Sequence, residues 1–334
     1  RELSSAMKVL VVGGAGYIGS HTVRYLVSRG HEPIVYDNLS LGFARAVQGV
    51  PLVEGDLQDQ SLLERTLREH QIEAVIHFAA FALVGESVTE PAKYYENNII
   101  GTFRLLQAMR ATGVQRIVFS STCATYGEPE EVPIDETQRQ APINPYGFTK
   151  LAVERMLQDF HRAYGLKYAA LRYFNAAGAS PVGDIGEDHT PESHLIPIVL
   201  QAALGQRSHV TVFGTDYPTP DGTCIRDYIH VDDLAAAHEL ALLRLDELQA
   251  VEVNLGTGHG YSVQEVIAAC RQITGRDIRV EFGPRRAGDP PQLVAKPERA
   301  GRLLGWRPQC SSLDNIVRTA WHWHLHHPHG YASL

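Results

Sequence analysis

In the first half of the chain, short β-branched runs alternate with longer stretches in which apolar positions recur every three or four residues. The runs at 8–12, 33–36, 51–53, 74–78, 116–119 and 168–172 are apolar on both faces of an extended chain. This predicts strands covered on either side by helices. Helical spacing fills the intervals 19–28, 61–69, 93–111 and 147–164. Strand–helix alternation of this kind predicts an α/β fold with a doubly wound parallel sheet. After Asn175 the texture changes, and the stretches 179–197 and 214–222 become rich in Gly, Pro, Asp and His. Loops of that length inside a compact domain are usually functional. The later pattern predicts helices at 195–204, 231–245, 263–274 and from about Leu313, with strands at 210–213, 228–230, 252–255 and 278–282. The expected organisation is a large domain over 7–175 and a smaller α/β lobe over 176–334, with segments near 226–256 returning to the large domain. Arg1 to Ala6, ahead of Met7, read as an expression remnant and are left out of the fold reading.

Composition narrows the function. With 334 residues, 44% of them hydrophobic, the chain can bury a substantial core. A net charge of −8, spread without a basic block, makes nucleic acid a poor partner. No apolar run approaches the roughly 20 residues that span a membrane. Cys123, Cys224, Cys270 and Cys310 form no C-x-x-C pair, so they read as free thiols in the cytoplasm.

The first chemical signal is Gly13-Gly14-Ala15-Gly16-Tyr17-Ile18-Gly19, which follows the first strand and opens a helix. Such a turn lets backbone N–H groups approach a pyrophosphate at the positive end of the helix, as in a Rossmann-type domain. Asp37, in Tyr36-Asp37-Asn38 at the end of the second strand, can accept hydrogen bonds from ribose hydroxyls. A carboxylate there would repel a 2′-phosphate, which favours NAD over NADP. Gly55-Asp56-Leu57, after the third strand, falls where the adenine edge should lie.

The second signal is Tyr146 and Lys150, four apart on a predicted helix and therefore on one face. A free tyrosine, with a pKa near 10, is a poor base at neutral pH. A neighbouring ammonium and the positive nicotinamide ring are expected to stabilise the phenolate and make Tyr146 a general base for a sugar hydroxyl. The fifth strand ends in Ser120-Ser121-Thr122, and strand ends of this kind line the ligand crevice of a doubly wound sheet.

Taken together, the motifs GGAGYIGSH, YDNLS, HFAA, VGES, YYENN, FSSTCATYG, NPYGFTK, LRYFNAAGA and RDYIHVDDLA, with Arg286 to Asp289, resemble the UDP-glucose 4-epimerase (UDP-galactose 4-epimerase) family. That family lies within the extended short-chain dehydrogenases/reductases, and the resemblance runs from Met7 to Tyr331. It implies that C4 of a UDP-sugar is inverted through a 4-keto intermediate on tightly bound NAD. Catalysis would fall to Tyr146, Lys150 and Thr122, the last as the third member of a serine/threonine run. NAD would be held by Gly13, Gly16, Tyr17, Ile18, Gly19, Asp37, Asn38, Asp56, Leu57, Phe78, Ala79, Ala80, Asn97 and Tyr173, together with Tyr146 and Lys150. The UDP-sugar would meet Thr122, Tyr146, Asn175, His194, Leu195, Phe213, Arg226, Arg286, Asp289 and Leu293, with the two arginines clamping the diphosphate. A homodimer through two helices, one of them the Tyr–Lys helix, is also implied.

The chain departs from the family pattern in three places. Ala82 replaces a lysine that contacts the cofactor, His194 replaces an asparagine of the diphosphate loop, and Leu293 is intermediate in bulk at the residue that gates the sugar. Epimerases of UDP-GlcNAc, UDP-xylose/arabinose or UDP-glucuronate therefore stay open as alternatives, as does a non-catalytic NAD-sensing protein. A 4,6-dehydratase is disfavoured because Thr122-Cys123-Ala124 lacks the Asp-Glu pair that eliminates water. Neither a G-x-S-x-G elbow nor a P-loop occurs. His322 and His326 have zinc-chelating spacing, but no third ligand accompanies them, so they read as part of a packed terminal helix and no metal is expected.

Overall fold

The computed structural model describes residues 6–333, so most of the expected expression remnant, residues 1–5, lies outside the described residues. Seven parallel strands form the main sheet in the order Ala250–Leu255, Lys167–Tyr173, Arg116–Thr122, Ala74–His77, Lys8–Val12, Glu32–Asp37, Leu52–Glu54. The order reverses between Lys8–Val12 and Ala74–His77, which opens a crevice at the carboxyl ends of those strands.

The apolar-on-both-faces pattern translates directly into two cores. Val9 and Val11 of the first strand join Leu26, Leu234 and Ala241, from helices Tyr17–Ser28 and Val231–Leu248. Leu10 and Val12, alternating with them, join Leu63, Leu105, Met109, Val153 and Leu157. Those residues belong to helices Gln60–Glu69, Gly101–Thr112 and Pro145–Tyr164 on the opposite face. A third core, built from Leu200, Val210, Val212, Tyr228, Ile267 and Val317, organises the smaller lobe. The chain crosses between these parts more than once, because Ala250–Leu255 pairs with Lys167–Tyr173 while the helices on either side of it pack in different cores.

The strands and helices expected from periodicity are present, with ends shifted by a few residues at most, except over 93–111. There the chain forms Pro91–Tyr94, a π-turn at Tyr95–Ile100, and then Gly101–Thr112. The pattern also missed helices Val84–Thr89 and Glu298–Leu304 and the short strands Asn175–Ala177, Ile225–Arg226, Tyr261–Ser262 and Gln292–Leu293. Strands of two or three residues carry too few positions to show a period. The four cysteines are all free. Among the described residues no helix is long and apolar enough to cross a membrane. His322 and His326 lie on the last helix, Leu313–His326, which is anchored by the fully buried Trp323.

Candidate active site

The glycine turn is shaped by close backbone packing. Gly13 has φ of +79°, and a Cβ there would lie 2.6 Å from the Ala79 nitrogen. A Cβ at Gly19 would lie 2.4 Å from the Gly13 carbonyl, so the helix can press onto the turn only without one. The helix starts at Tyr17 with Gly16 as N-cap and no side chain capping it. Its N-terminal amides thus offer donors and a positive dipole end to an anion.

Asp37 is nearly buried. Its carboxylate accepts the Ala15 N–H at 2.9 Å and the Leu39 N–H at 2.8 Å. Burial raises its pKa, and the two amides oppose that shift. The cleft between turn and strand ends is lined by Gly13, Gly16, Asp37, Asn38, Leu57, Phe78, Ala79, Ala80 and Asn97. Flat glycines, an uncapped helix end and an acceptor at the second strand fit a dinucleotide.

The remaining cofactor candidates are placed differently. The Tyr17 hydroxyl donates to the Gly178 carbonyl at 2.5 Å, and Ile18 packs into the sheet core, so only their backbone faces the turn. Gly19 is buried where the helix meets the turn. Asp56 is exposed and accepts from the Asn38 amide at 3.1 Å and the Gln58 N–H at 2.9 Å. The Tyr173 hydroxyl is engaged by His238. Asn97 reaches the cleft through the π-turn. Its amide donates to the side-chain oxygen of Asn98 at 2.9 Å, and Asn98 in turn donates to the Phe81 carbonyl and the Thr149 hydroxyl, which ties the cleft wall to the helix that carries Tyr146. A π-turn is a common feature of functional sites.

Tyr146, Lys150 and Thr122 converge at the end of the strand Arg116–Thr122. The helix that carries the first two begins with Pro145 at N1 and Asn144 as cap, its side chain accepting the Gly147 N–H at 2.8 Å. Thr122 accepts the Ala124 N–H at 3.1 Å, which leaves its own hydroxyl hydrogen for a partner in the site, and that hydroxyl lowers the pKa of Tyr146. Burial dominates at both Tyr146 and Lys150. Burial pushes Tyr146 up to about 12, and the Thr122 hydrogen bond offsets this only in part. Lys150 is itself buried, its Nζ donating to the Ser120 carbonyl at 2.7 Å, and burial pushes it down to about 7.

The second lobe closes the other side. Asn175 opens a short strand that pairs with Tyr228–His230. Arg226 lies between Leu293, its parallel partner, and Tyr261, its antiparallel partner, and its field reaches the Cys123 thiol. Leu293 and Cys123 both pack against the small core of Tyr126, Ile134, Phe174 and Ala295. Phe213, Arg286 and Asp289 come together, with the guanidinium 4.8 Å from the Phe213 ring centroid and 3.1 Å from the Asp289 carboxylate. Leu195 packs into the lobe core at the start of helix Leu195–Ala203.

His194 lies at the N-cap of helix Leu195–Ala203. Its Nδ1 is paired with the buried Glu187 carboxylate, which raises its pKa, so the ring is tied to its own loop. Glu187, His189, Glu192 and His194 form the one group among the described residues with donor atoms close enough to hold a metal. These donors already neutralise one another: His189 lies 3.0 Å from Glu187 and 3.6 Å from Glu192. The cluster escaped the sequence reading, although the spacing E-x-H-x-x-E-x-H was the signal. Asp227 was also missed. Its buried carboxylate accepts the N–H groups of Thr257, Gly258 and Ala295 and thereby ties together the loops behind Arg226.

Comparison with known proteins agrees with this geometry. The profile of the NAD dependent epimerase/dehydratase family matches residues 9–256. A UDP-glucose 4-epimerase from Halalkalibacterium halodurans is 58% identical over 329 residues, covering 98% of each chain. The crystal structure of UDP-glucose 4-epimerase from Brucella ovis in complex with NAD superposes with a TM-score of 0.93 at 55% identity, over 95% of this chain and 98% of that one. The Bifidobacterium longum enzyme in complex with NAD+ and UDP gives 0.91 at 40% identity, over 97% of this chain and 100% of that one. A glycine turn that fits NAD, a Tyr–Lys helix beside it and matches over nearly the whole chain lead to one conclusion: this chain belongs to the NAD-dependent epimerase/dehydratase family.

Proposed function

We propose that the protein is a UDP-glucose 4-epimerase, interconverting UDP-glucose and UDP-galactose. The observation that carries this is the gathering of Thr122, Tyr146 and Lys150 at one strand end next to the dinucleotide cleft, with Lys150 donating to the Ser120 carbonyl and the Thr122 hydroxyl lowering the Tyr146 pKa. Tyr146 Oη takes the proton of the sugar 4-hydroxyl and returns it to the 4-keto oxygen, while the Thr122 hydroxyl donates to the oxygen as charge develops. NAD, when bound, supplies a hydride acceptor for C4 and a positive ring beside Tyr146. Lys150, anchored on Ser120, orients the nicotinamide ribose and adds its own charge when protonated.

Gly13, Gly16 and the backbone of Tyr17 and Ile18 hold the pyrophosphate, and Asp37 the adenosine ribose. Arg226 and Arg286 clamp the UDP diphosphate, Phe213 stacks near the base and Asp289 holds the uridine ribose. The sugar lies between Thr122, Asn175 and Leu293. The division into a cofactor domain at 7–175 and a sugar-nucleotide lobe at 176–334 follows from these roles. Exposed Val88, Tyr95, Ile100, Phe103, Phe148 and Tyr164 lie on the segment 84–112 and the Tyr–Lys helix and support a homodimer through that face. Four free thiols support a cytoplasmic location. The test is incubation with UDP-galactose without added NAD. Formation of UDP-glucose to a fixed isomer ratio is expected, and no interconversion even with NAD supplied would sink the assignment.

A further inference from the structure

We infer that Glu154, one helical turn beyond Lys150, is a positioning residue for the reaction: it keeps Lys150 in its charged form and thereby sets the pH range in which the Tyr146–Lys150 pair works. The inference rests on the reading of that pair as the proton-transfer machinery.

Tyr146, Lys150 and Glu154 are spaced four apart on one helix beside one strand: Lys150 donates to the Ser120 carbonyl, Glu154 accepts from the Ser121 hydroxyl, and the Thr122 hydroxyl lowers the pKa of Tyr146. Glu154 is fully buried. Arg172, from the neighbouring strand, grips it at 2.6 Å through Nη2 and 3.1 Å through Nε, and Ser121 donates at 2.5 Å. Behind the guanidinium, the Tyr126 hydroxyl receives Nη1 at 2.9 Å and passes its own hydrogen to Asn254 at 2.6 Å. Two well-packed apolar side chains could fill this space at less desolvation cost, because a buried ion pair is a weak source of stability. A carboxylate aligned with the site points to a purpose beyond packing.

That purpose lies in the balance of charge around Lys150. Burial alone drives a lysine toward neutrality, and Glu154 is the charge that opposes it. The other ionisable groups facing this region do not replace it. His77, on the adjoining strand, is pushed down to about 3 and stays neutral at working pH. Tyr173 and Tyr94 are raised and also neutral, Cys123 is held up to about 11, and Arg172 carries the same sign as the ammonium. Without the Glu154 charge, Lys150 would lose its proton at a lower pH.

The experiment is the pH profile of kcat for the holoenzyme. The wild type should lose activity on its alkaline side as Lys150 deprotonates. In Glu154→Gln that limb should move to lower pH by about one unit or more, the size expected for an opposite charge a few ångströms away. Glu154→Asp should restore most of the displacement. Should the single variant fail to fold with Arg172 unpaired, Glu154→Gln combined with Arg172→Gln removes both charges and leaves a hydrogen-bonding pair, and the limb should still move down. A limb that stays in place in a folded, NAD-loaded variant overturns the inference, even if stability falls. Equal displacement by Glu154→Asp and Glu154→Gln overturns it too. If instead Lys150→Met kept full activity and an unchanged profile, the underlying pair assignment would be at fault.

Discussion

The two sides of the cleft are built from different materials. On the first-half side, the groups that face it are mostly main chain: the glycine turn, the uncapped helix end and the flat segment Phe78–Ala79–Ala80, with Asp37 as the main charged side chain. The residues proposed to hold the sugar nucleotide are instead long side chains mounted on strands of two to four residues: Arg226 on Ile225–Arg226, Phe213 on Val210–Phe213, Leu293 on Gln292–Leu293. A main-chain site is fixed by how closely backbones approach, and it tolerates almost no added atom at Gly13 or Gly19. A side-chain site can be altered by one substitution without disturbing the fold. The contrast teaches where recognition is rigid and where it can change.

The contrast can be broken most sharply at the seam. Replacing Tyr146 by Phe removes the hydroxyl assigned as the proton acceptor and should lower kcat by about 10²–10⁴-fold, the span of general acid–base catalysis. Retained NAD, read from cofactor content after gel filtration, would show that neither side had collapsed. Next in size, Arg226→Met should raise KM for the sugar nucleotide about 10–100-fold, since a charge-assisted hydrogen bond is worth about 1.5–3 kcal/mol. NAD content should be unchanged. Its mirror image is Gly13→Ala, where a left-handed backbone and the 2.6 Å approach to Ala79 force the turn to shift. Strain of about 1–3 kcal/mol should weaken NAD retention about tenfold and leave UDP binding, measured by calorimetry, nearly intact. Equal effects of both variants on both ligands would dissolve the distinction.

The smallest effect belongs to the loop cluster. Glu187 and Glu192 hold His189 up to about 10, above the ordinary histidine value near 6.5. A group raised on folding contributes its stability in full below about 6.5 and loses it as pH climbs toward 10. Thermal midpoints should therefore fall over that window, with His189→Gln showing a shallower fall. Glu187 is depressed by both histidines, so its contribution is present at neutral pH and fades in acid. A melting profile for His189→Gln parallel to the wild type would show that the cluster does not contribute.

Where recognition is built from main chain, the sequence was easiest to read. Periodicity located the strands because each is apolar on both faces, and the glycines marked the turn because only they fit. Tyr146 and Lys150 do share one helix, as the motif spacing implied. What escaped were properties of three-dimensional placement. A continuous helical pattern over 93–111 gave no hint of the π-turn that carries Asn97 and Asn98. His194 looked available for a ligand until Glu187, seven residues away, claimed it. The state of Lys150 was misjudged because a spacing of four says which face a residue shares and nothing about how dry that face is.

The pairing of Ala250–Leu255 with Lys167–Tyr173 also bears on how the protein is made. Until residue 255 leaves the ribosome, Lys167–Tyr173 is the outermost strand of an unfinished sheet, with backbone groups open to any passing partner. Helix Val231–Leu248, which covers helix Tyr17–Ser28, arrives only just before it. The part of the chain that carries the glycine turn is synthesised first, yet its final strand and one covering helix come late. A chain truncated near residue 200 would carry the dinucleotide motif without the finished sheet that supports it.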